Sequence, residues 1–451
     1  MALFPHSRII FSSMLLGLSG CTQGVPIALA PHSDSDGLEQ HDDDEMPSVD
    51  SDADDPNDSQ DDSGTETDPP VPDTLPDVPA DLRSEAWPGA ALFDLGQVQA
   101  FALTLSSESW NALSRDPREY TGASLDADGQ VLEVGVRLKG SSTYESISAK
   151  PSFKVDVNWV DSEQKLHGKK KFNLHNQTLD PSFVSEALTF ALFREADLPA
   201  PRVGWVWLQV NDEDYGFYTI VEEPDDEFID LWFEEDDGNL YENLDAYCDV
   251  TDPLGCFDAE EFDEKNHDAF LALGSAATTR GEEWDTHMQA LMDWERFTRF
   301  FAMEAAIGHW DSYSYDISNY RLYHQPVADN WTFIPWSADL GFSYRPWSYP
   351  DCGQYATNPD GYDMGILAGR CAESTICRGD VKTAILAIAD QLDAFDISGR
   401  IDTFNAVIRE HVQADPNRSY GMDDFVDHQA CIIDFVNNRS AYLRGWAETA
   451  P

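Results

Sequence analysis

A small set of charged or amide side chains stands in apolar or aromatic frames along this chain. They are Lys139 in Lys139-Gly-Ser-Ser142, Lys154 in Lys150-Pro-Ser-Phe-Lys154, Glu222, Asp311 after Trp310, Asn319 and Asp339. Lysines followed by carboxylates and an amide suit phosphoryl transfer. That reaction needs cations against the phosphates, a held metal, and a carboxylate that orients the attacking hydroxyl. Other chemistries lack their signatures: there is no Gly-x-Ser-x-Gly elbow, no His-Glu-x-x-His and no Walker loop, which leaves hydrolase, zincin and P-loop mechanisms without support. Each residue also has a structural alternative. Lys139 and Lys154 fit solvated strand faces, Glu222 can pair with Arg202 across a sheet, and Asp311 can cap a helix or open an Asx-turn.

The elements that carry these residues follow from hydrophobic period. Val98–Leu105, Val131–Leu138, Phe153–Asn158 and Lys171–Leu174 alternate as strands. Val203–Val210 and Tyr215–Glu222 read as a hairpin around Asn211-Asp-Glu-Asp214. Helical spacing marks Ser182–Glu195, Trp294–His309, Val381–Leu392 and Ile401–Val412, with short strands at Tyr320–Tyr323 and Thr332–Ile334. A β-rich first part followed by a helix-rich second part predicts an α+β fold, one elaborate domain or two lobes.

Taken in order, several pieces of this sequence resemble the CotH family, the spore-coat protein H type of atypical protein kinase. They are Arg137-Leu-Lys-Gly-Ser-Ser142, Lys150-Pro-Ser-Phe-Lys-Val-Asp-Val157, Lys170-Lys-Phe-Asn-Leu174, Leu198-Pro-Ala-Pro-Arg202, Tyr215-Gly-Phe-Tyr-Thr-Ile-Val-Glu222, Trp310-Asp311, Asn319-Tyr-Arg-Leu-Tyr323 and Ile334-Pro-Trp-Ser-Ala-Asp339. The resemblance implies a kinase-like fold using ATP with Mg²⁺ or Mn²⁺, Ca²⁺ being a further candidate. It makes Asp311 the catalytic carboxylate, with Asp316 as its rival, and Asn319 and Asp339 the metal ligands. Lys154 becomes the phosphate-pairing lysine with Glu222 as orienting partner, and Lys139 and Lys150 compete for that role. Ser337 stands where the family carries the first acid of Trp-Asp-x-Asp, so either Asp339 takes over or the metal is lost. That substitution keeps a second function open, a non-catalytic surface module binding a protein or glycan. Transfer of a nucleotide instead of a phosphate is a third, since a scaffold does not fix which group moves.

The rest of the chain speaks of place. Residues 1–21 read as a lipoprotein signal peptide ending in Leu18-Ser-Gly-Cys21, with Cys21 the acylated residue. Residues 22–85 form an acidic Asp/Ser/Pro-rich linker too poor in apolar residues to fold, and 86–451 is the kinase-like domain. The expected location is the cell envelope, extracytoplasmic and lipid-anchored at the outer membrane or cell surface. The expected partner is an exported protein substrate, with membrane contact through the anchor only. After Cys21 come Cys248, Cys256, Cys352, Cys371, Cys377 and Cys431, an even number that favours disulfides in an exported chain. Cys248 with Cys256, and two of the Cys352/Cys371/Cys377 group, are the local pairs. With 84 acidic against 28 basic residues, a formal net charge of −56, nucleic-acid binding is excluded, because phosphate neutralisation needs basic patches.

Overall fold

Strand alternation builds the N-terminal half around one core. Phe101 and Leu103 of β1 (Val98–Thr104) are buried together with Leu125 of β2 (Thr121–Ala127) and Val134, Val136 and Leu138 of β3 (Gln130–Lys139). Phe153 and Val155 of β4 (Ser152–Asp156) and Phe172 and Leu174 of β5 (Lys171–His175) join them. Val206 and Leu208 of β6 (Val203–Val210) and Tyr218 and Ile220 of β7 (Glu213–Glu222) complete the cluster. The strands run in the order β1-β2-β3-β4-β5-β7-β6 and close into a barrel, antiparallel throughout except where β1 meets β6 in parallel. Because side chains alternate across a strand, Lys139, Lys154, Asn173 and His175 leave the barrel on its other face, on the neighbouring strands β3, β4 and β5. Lys154 lies directly opposite Asn173 in the ladder. Helix α1 (Ser107–Arg115) joins β1 to β2, and α2 (Ser185–Glu195) joins β5 to β6.

The structure is a computed structural model that describes residues 87–450, apart from 235–236, 244–246, 253, 262–266, 343–357 and 362. The signal peptide, Cys21, the acidic linker and Cys352 lie outside the described residues. The second half contains α3 (Asp226–Trp232), β8 (Asn239–Asn243), β9 (Phe257–Glu261), α4 (Asp268–Ala277), α5 (Glu282–Leu291) and α6 (Trp294–Ile307). There follow α7 (Tyr313–Asp316), β10 (Tyr320–Gln325), β11 (Asn330–Pro335), α8 (Ile366–Glu373), α9 (Thr375–Ala394), α10 (Ile397–Ala414) and α11 (Met422–Thr449). Its sheet has the order β11-β10-β8-β9. The fold is therefore α+β, β-rich first and helix-rich second. Trp205, Phe217 and Val221, on the outer face of β6 and β7, belong to the core of the helical half. The Trp205 ring lies 5.8 Å from that of Phe404 on α10.

Local chemistry sets the element ends. Helix α2 begins at Ser185 and not at Ser182, because the buried Asp180 carboxylate accepts from the amides of Ser182 and Ser185 and Phe183 is left-handed at φ 58°. Helix α6 opens under Asp293, which accepts from the Arg296 amide at 3.2 Å, and stops at Gly308 in the left-handed conformation, φ 64°. Its last carbonyls would be orphaned; those of Ala305 and Ala306 accept from the fully buried Arg439 of α11 at 2.6 and 2.7 Å. Disulfides join Cys248 to Cys256 and Cys371 to Cys377, as the spacing led one to expect. Among the described residues no helix is long and apolar enough to cross a membrane.

Candidate active site

The segment released by Gly308 carries Asp311 and returns at Asn319. Asn319 is left-handed at φ 53°, and its Nδ2 donates to the Asp311 carbonyl at 2.7 Å and to Asp311 Oδ2 at 2.8 Å. Beneath them Glu304 of α6, 1% exposed, accepts from the Ser314 amide at 3.2 Å and from the Ser314 hydroxyl. The loop is tied forward as well: the Trp336 amide donates to the Asn319 carbonyl at 3.0 Å, so β11 delivers Trp336-Ser-Ala-Asp339 beside Asp311 and Asn319.

The barrel contributes cations. Lys154 Nζ lies 3.1 Å from Glu223 Oε1, and Arg321 Nη2 of β10 lies 2.8 Å from the same atom. Asn173 Nδ2 donates to Glu223 Oε2 at 2.5 Å. Glu222 is a correction. It sits opposite Phe172, a barrel-core residue, and its carboxylate is held by Arg202 Nε at 2.9 Å and Lys169 Nζ at 3.4 Å. One residue further along the chain reverses the face, so Glu223, not Glu222, meets Lys154. Burial pushes Glu223 up, but Arg321 and Lys154 outweigh it and hold the carboxyl well below its ordinary range. Lys150 is committed elsewhere, 2.5 Å from Asp415 Oδ2. Lys154 is 4% exposed, and neither it nor the half-buried Lys139 is a solvated strand face. Lys139 Nζ lies 4.7 Å from the centre of the Trp336 ring, and the Arg321 guanidinium 4.4 Å from it. Trp336 thereby brings Lys139 of the barrel and Arg321 of β10 to the segment that carries Asp339.

The acids are electrostatically crowded. Burial, then the charge of Asp316, pushes Asp311 up to about 7. Burial, followed by Glu186, Asp180 and Asp311, pushes Asp339 well above the carboxylate range. Among the described residues Glu186 Oε1 has no hydrogen-bond partner. Among the described residues no three His, Cys, Asp or Glu side chains stand as a metal-ligand group. A Mg²⁺ site does not demand one, since that ion takes one or two carboxylates plus waters and substrate phosphates. The carboxylates of Asp339 and Asp311, raised first by burial and then by neighbouring acids, with the Asn319 amide oxygen beside them, have the chemistry such a cation relieves. Sequence reasoning missed Glu223, Arg321, His175, Glu186 and Glu304; only Glu223, adjacent to the chosen Glu222, left a signal, in the alternation of β7.

Strand cations brought by an aromatic ring to an Asp–Asn loop and a second buried Asp give the layout of a kinase-like protein. The chain belongs to the CotH kinase protein family, whose model matches residues 136–443. It is similar to the inner spore coat protein H of Bacillus subtilis (strain 168), at 20% identity over 299 residues, 62% of this chain and 79% of that protein. It is also similar to the crystal structure of the Helicobacter pylori proinflammatory kinase CtkA, at 10% identity and a TM-score of 0.32, covering 74% of this chain and 95% of that one.

Proposed function

We propose that this protein is an ATP- and divalent-metal-dependent phosphotransferase that acts outside the cytoplasm on Ser or Thr hydroxyls of exported proteins. One observation carries the proposal: Lys139, Lys154 and Arg321 converge through Trp336 and Glu223 on the segment bearing Asp339, beside the Asp311–Asn319 pair. Cations of this kind neutralise phosphate oxygens. Asp339 and the Asn319 Oδ1 would hold the metal, which supplies charge neutralisation between the phosphates. Asp311, raised to about 7, titrates close to working pH, where a carboxylate best accepts a hydroxyl proton. The disulfides Cys248–Cys256 and Cys371–Cys377 suit an oxidising compartment, and Cys21 would anchor the chain to a membrane.

Calorimetry of the full-length protein with ATP and Mg²⁺ or Mn²⁺, beside Asp339→Ala, tests the reading. Metal-dependent binding lost in Asp339→Ala supports it, and absence of binding with either metal in folded protein sinks it. That second outcome would favour a non-catalytic module binding a protein or glycan partner, the function to which Ser337, in place of the family's acid, points.

A further inference from the structure

Lys139, His175 and Glu186 form a hydrogen-bonded chain across β3, β5 and the first turn of α2. Lys139 Nζ lies 2.6 Å from His175 Nε2, and His175 Nδ1 lies 3.0 Å from Glu186 Oε2. An ammonium only donates, so Nε2 accepts and the ring proton sits on Nδ1, donated to the carboxylate. Burial lowers His175 from its ordinary value, which keeps the ring in the neutral form this tautomer needs. The ring also stands edge-on to Trp336, 6.0 Å away at 84°, so it touches the same indole that Lys139 covers. At the far end Glu186 is 1% exposed, and after burial its charge is the largest influence on Asp339.

We infer that His175 is a positioning residue, an imidazole bridge that holds the phosphate-binding Lys139 at a fixed distance from Glu186 of α2. The inference rests on the phosphotransferase reading above. Protein kinases set a strand lysine by a direct ion pair with a helix glutamate; here an imidazole is interposed, and the barrel and α2 are spaced by its width. The bridge also governs the lysine's charge. Burial lowers Lys139 to about 8, while Glu223, Glu242 and Glu186 support the ammonium and Lys154 opposes it. The accepting Nε2 is a neutral group that stabilises the protonated form by a hydrogen bond.

The test uses full-length protein with ¹⁵N-labelled histidine and calorimetry with ATP and Mn²⁺. The resonance lost in His175→Gln should show a neutral ring protonated at Nδ1 at neutral pH. Affinity for ATP should fall roughly tenfold in His175→Ala and in Glu186→Gln. His175→Gln should recover most of it, because an amide can accept from Lys139 and donate to Glu186. Wild-type affinity should decline above about pH 8, and in His175→Ala the decline should begin at lower pH, a shift that a packing role would not produce. A ring protonated at Nε2, or ATP binding unchanged in His175→Ala and Glu186→Gln, overturns the bridge alone. A wild-type protein that binds no nucleotide overturns the phosphotransferase reading, and the role of His175 falls with it.

Discussion

Lys150, ahead of β4, and Asp415, between α10 and α11, form a buried ion pair at 2.5 Å that joins the barrel to the helical half. Asp415 also accepts from the amides of Phe217 at 3.1 Å and Asn417 at 2.8 Å. Gly216 lets it approach: at φ 101°, a Cβ there would collide with the Asp415 carboxylate. Removing one partner of a buried pair typically costs about 3–5 kcal/mol. Urea unfolding should therefore show losses on that scale for both Lys150→Met and Asp415→Ala. The double variant should lose clearly less than their sum, since the second change removes no intact pair. Strict additivity would mean the two groups act independently.

Glu222 and Glu223 are neighbours in sequence with opposite duties. Glu222, paired with Arg202 and Lys169, is held at about 2 against its burial, so Glu222→Gln should lower stability and leave ATP affinity near that of the wild type. Glu223→Gln loosens Lys154 and Arg321 and should weaken ATP binding roughly tenfold or more. Calorimetry and unfolding on both variants separate the two. Equal effects on ATP affinity would contradict the assignment of Glu223 as the partner of the site lysine.

That one-residue difference marks the limit of what the sequence made legible. Alternation identified the inward faces of β1, β3, β4, β5 and the β6–β7 hairpin, because branched and aromatic residues repeat there with period two. It missed β2, whose Thr-Gly-Ala-Ser-Leu-Asp-Ala is built largely of residues with low strand preference. It also missed α11, where the buried His428, Gln429, Arg439 and Ser440 interrupt the apolar stripe. The parallel closure of β1 on β6 and the approach of Glu186 to His175 are tertiary facts with no local signal. Asp311, Asn319 and Asp339 stood out through their aromatic and apolar frames, and the fold does gather those three.

Stability should depend on pH through Glu304. Burial pushes it up to about 8, against the hydrogen bonds from Ser314, whereas an unfolded Glu titrates near 4.3. The folded state thus retains a proton that the unfolded chain has lost, and the associated stability is present at low pH and disappears as pH rises through about 8. His309 and His428, depressed to about 4, favour the fold increasingly as pH rises toward 6.5, their ordinary value. Above that pH their contribution is complete. Between about pH 6.5 and 8 unfolding free energy should therefore fall, each such carboxyl contributing at most about 1.4 kcal/mol per pH unit. Glu304→Gln should flatten the slope, leaving the share of Asp180, Asp225 and Asp311, each raised to about 7, and of Asp339, pushed well above the carboxylate range. An unchanged slope would show that Glu304 is ionised in the native protein.

Ser337 is where the metal site can be strengthened. It occupies the left-handed region at φ 45°, and its hydroxyl donates to Asp339 Oδ1 at 3.4 Å. Aspartate tolerates that backbone conformation better than most residues, so Ser337→Asp can supply a second carboxylate without a change of path. In a site that binds Mn²⁺ through Asp339 and Asn319, an added hard oxygen ligand should tighten Mn²⁺ binding roughly tenfold, and Asp339→Ala should abolish it. In a chain that has given up the metal, Ser337→Asp would only add repulsion to carboxyls already pushed upward by burial and by Glu186, Asp180 and Asp311, and it should lower the melting temperature with Mn²⁺ present or absent. Titration of Mn²⁺ alone into the wild type and both variants, followed by thermal unfolding, distinguishes the two: a variant stabilised only when Mn²⁺ is added places the ion at Asp339.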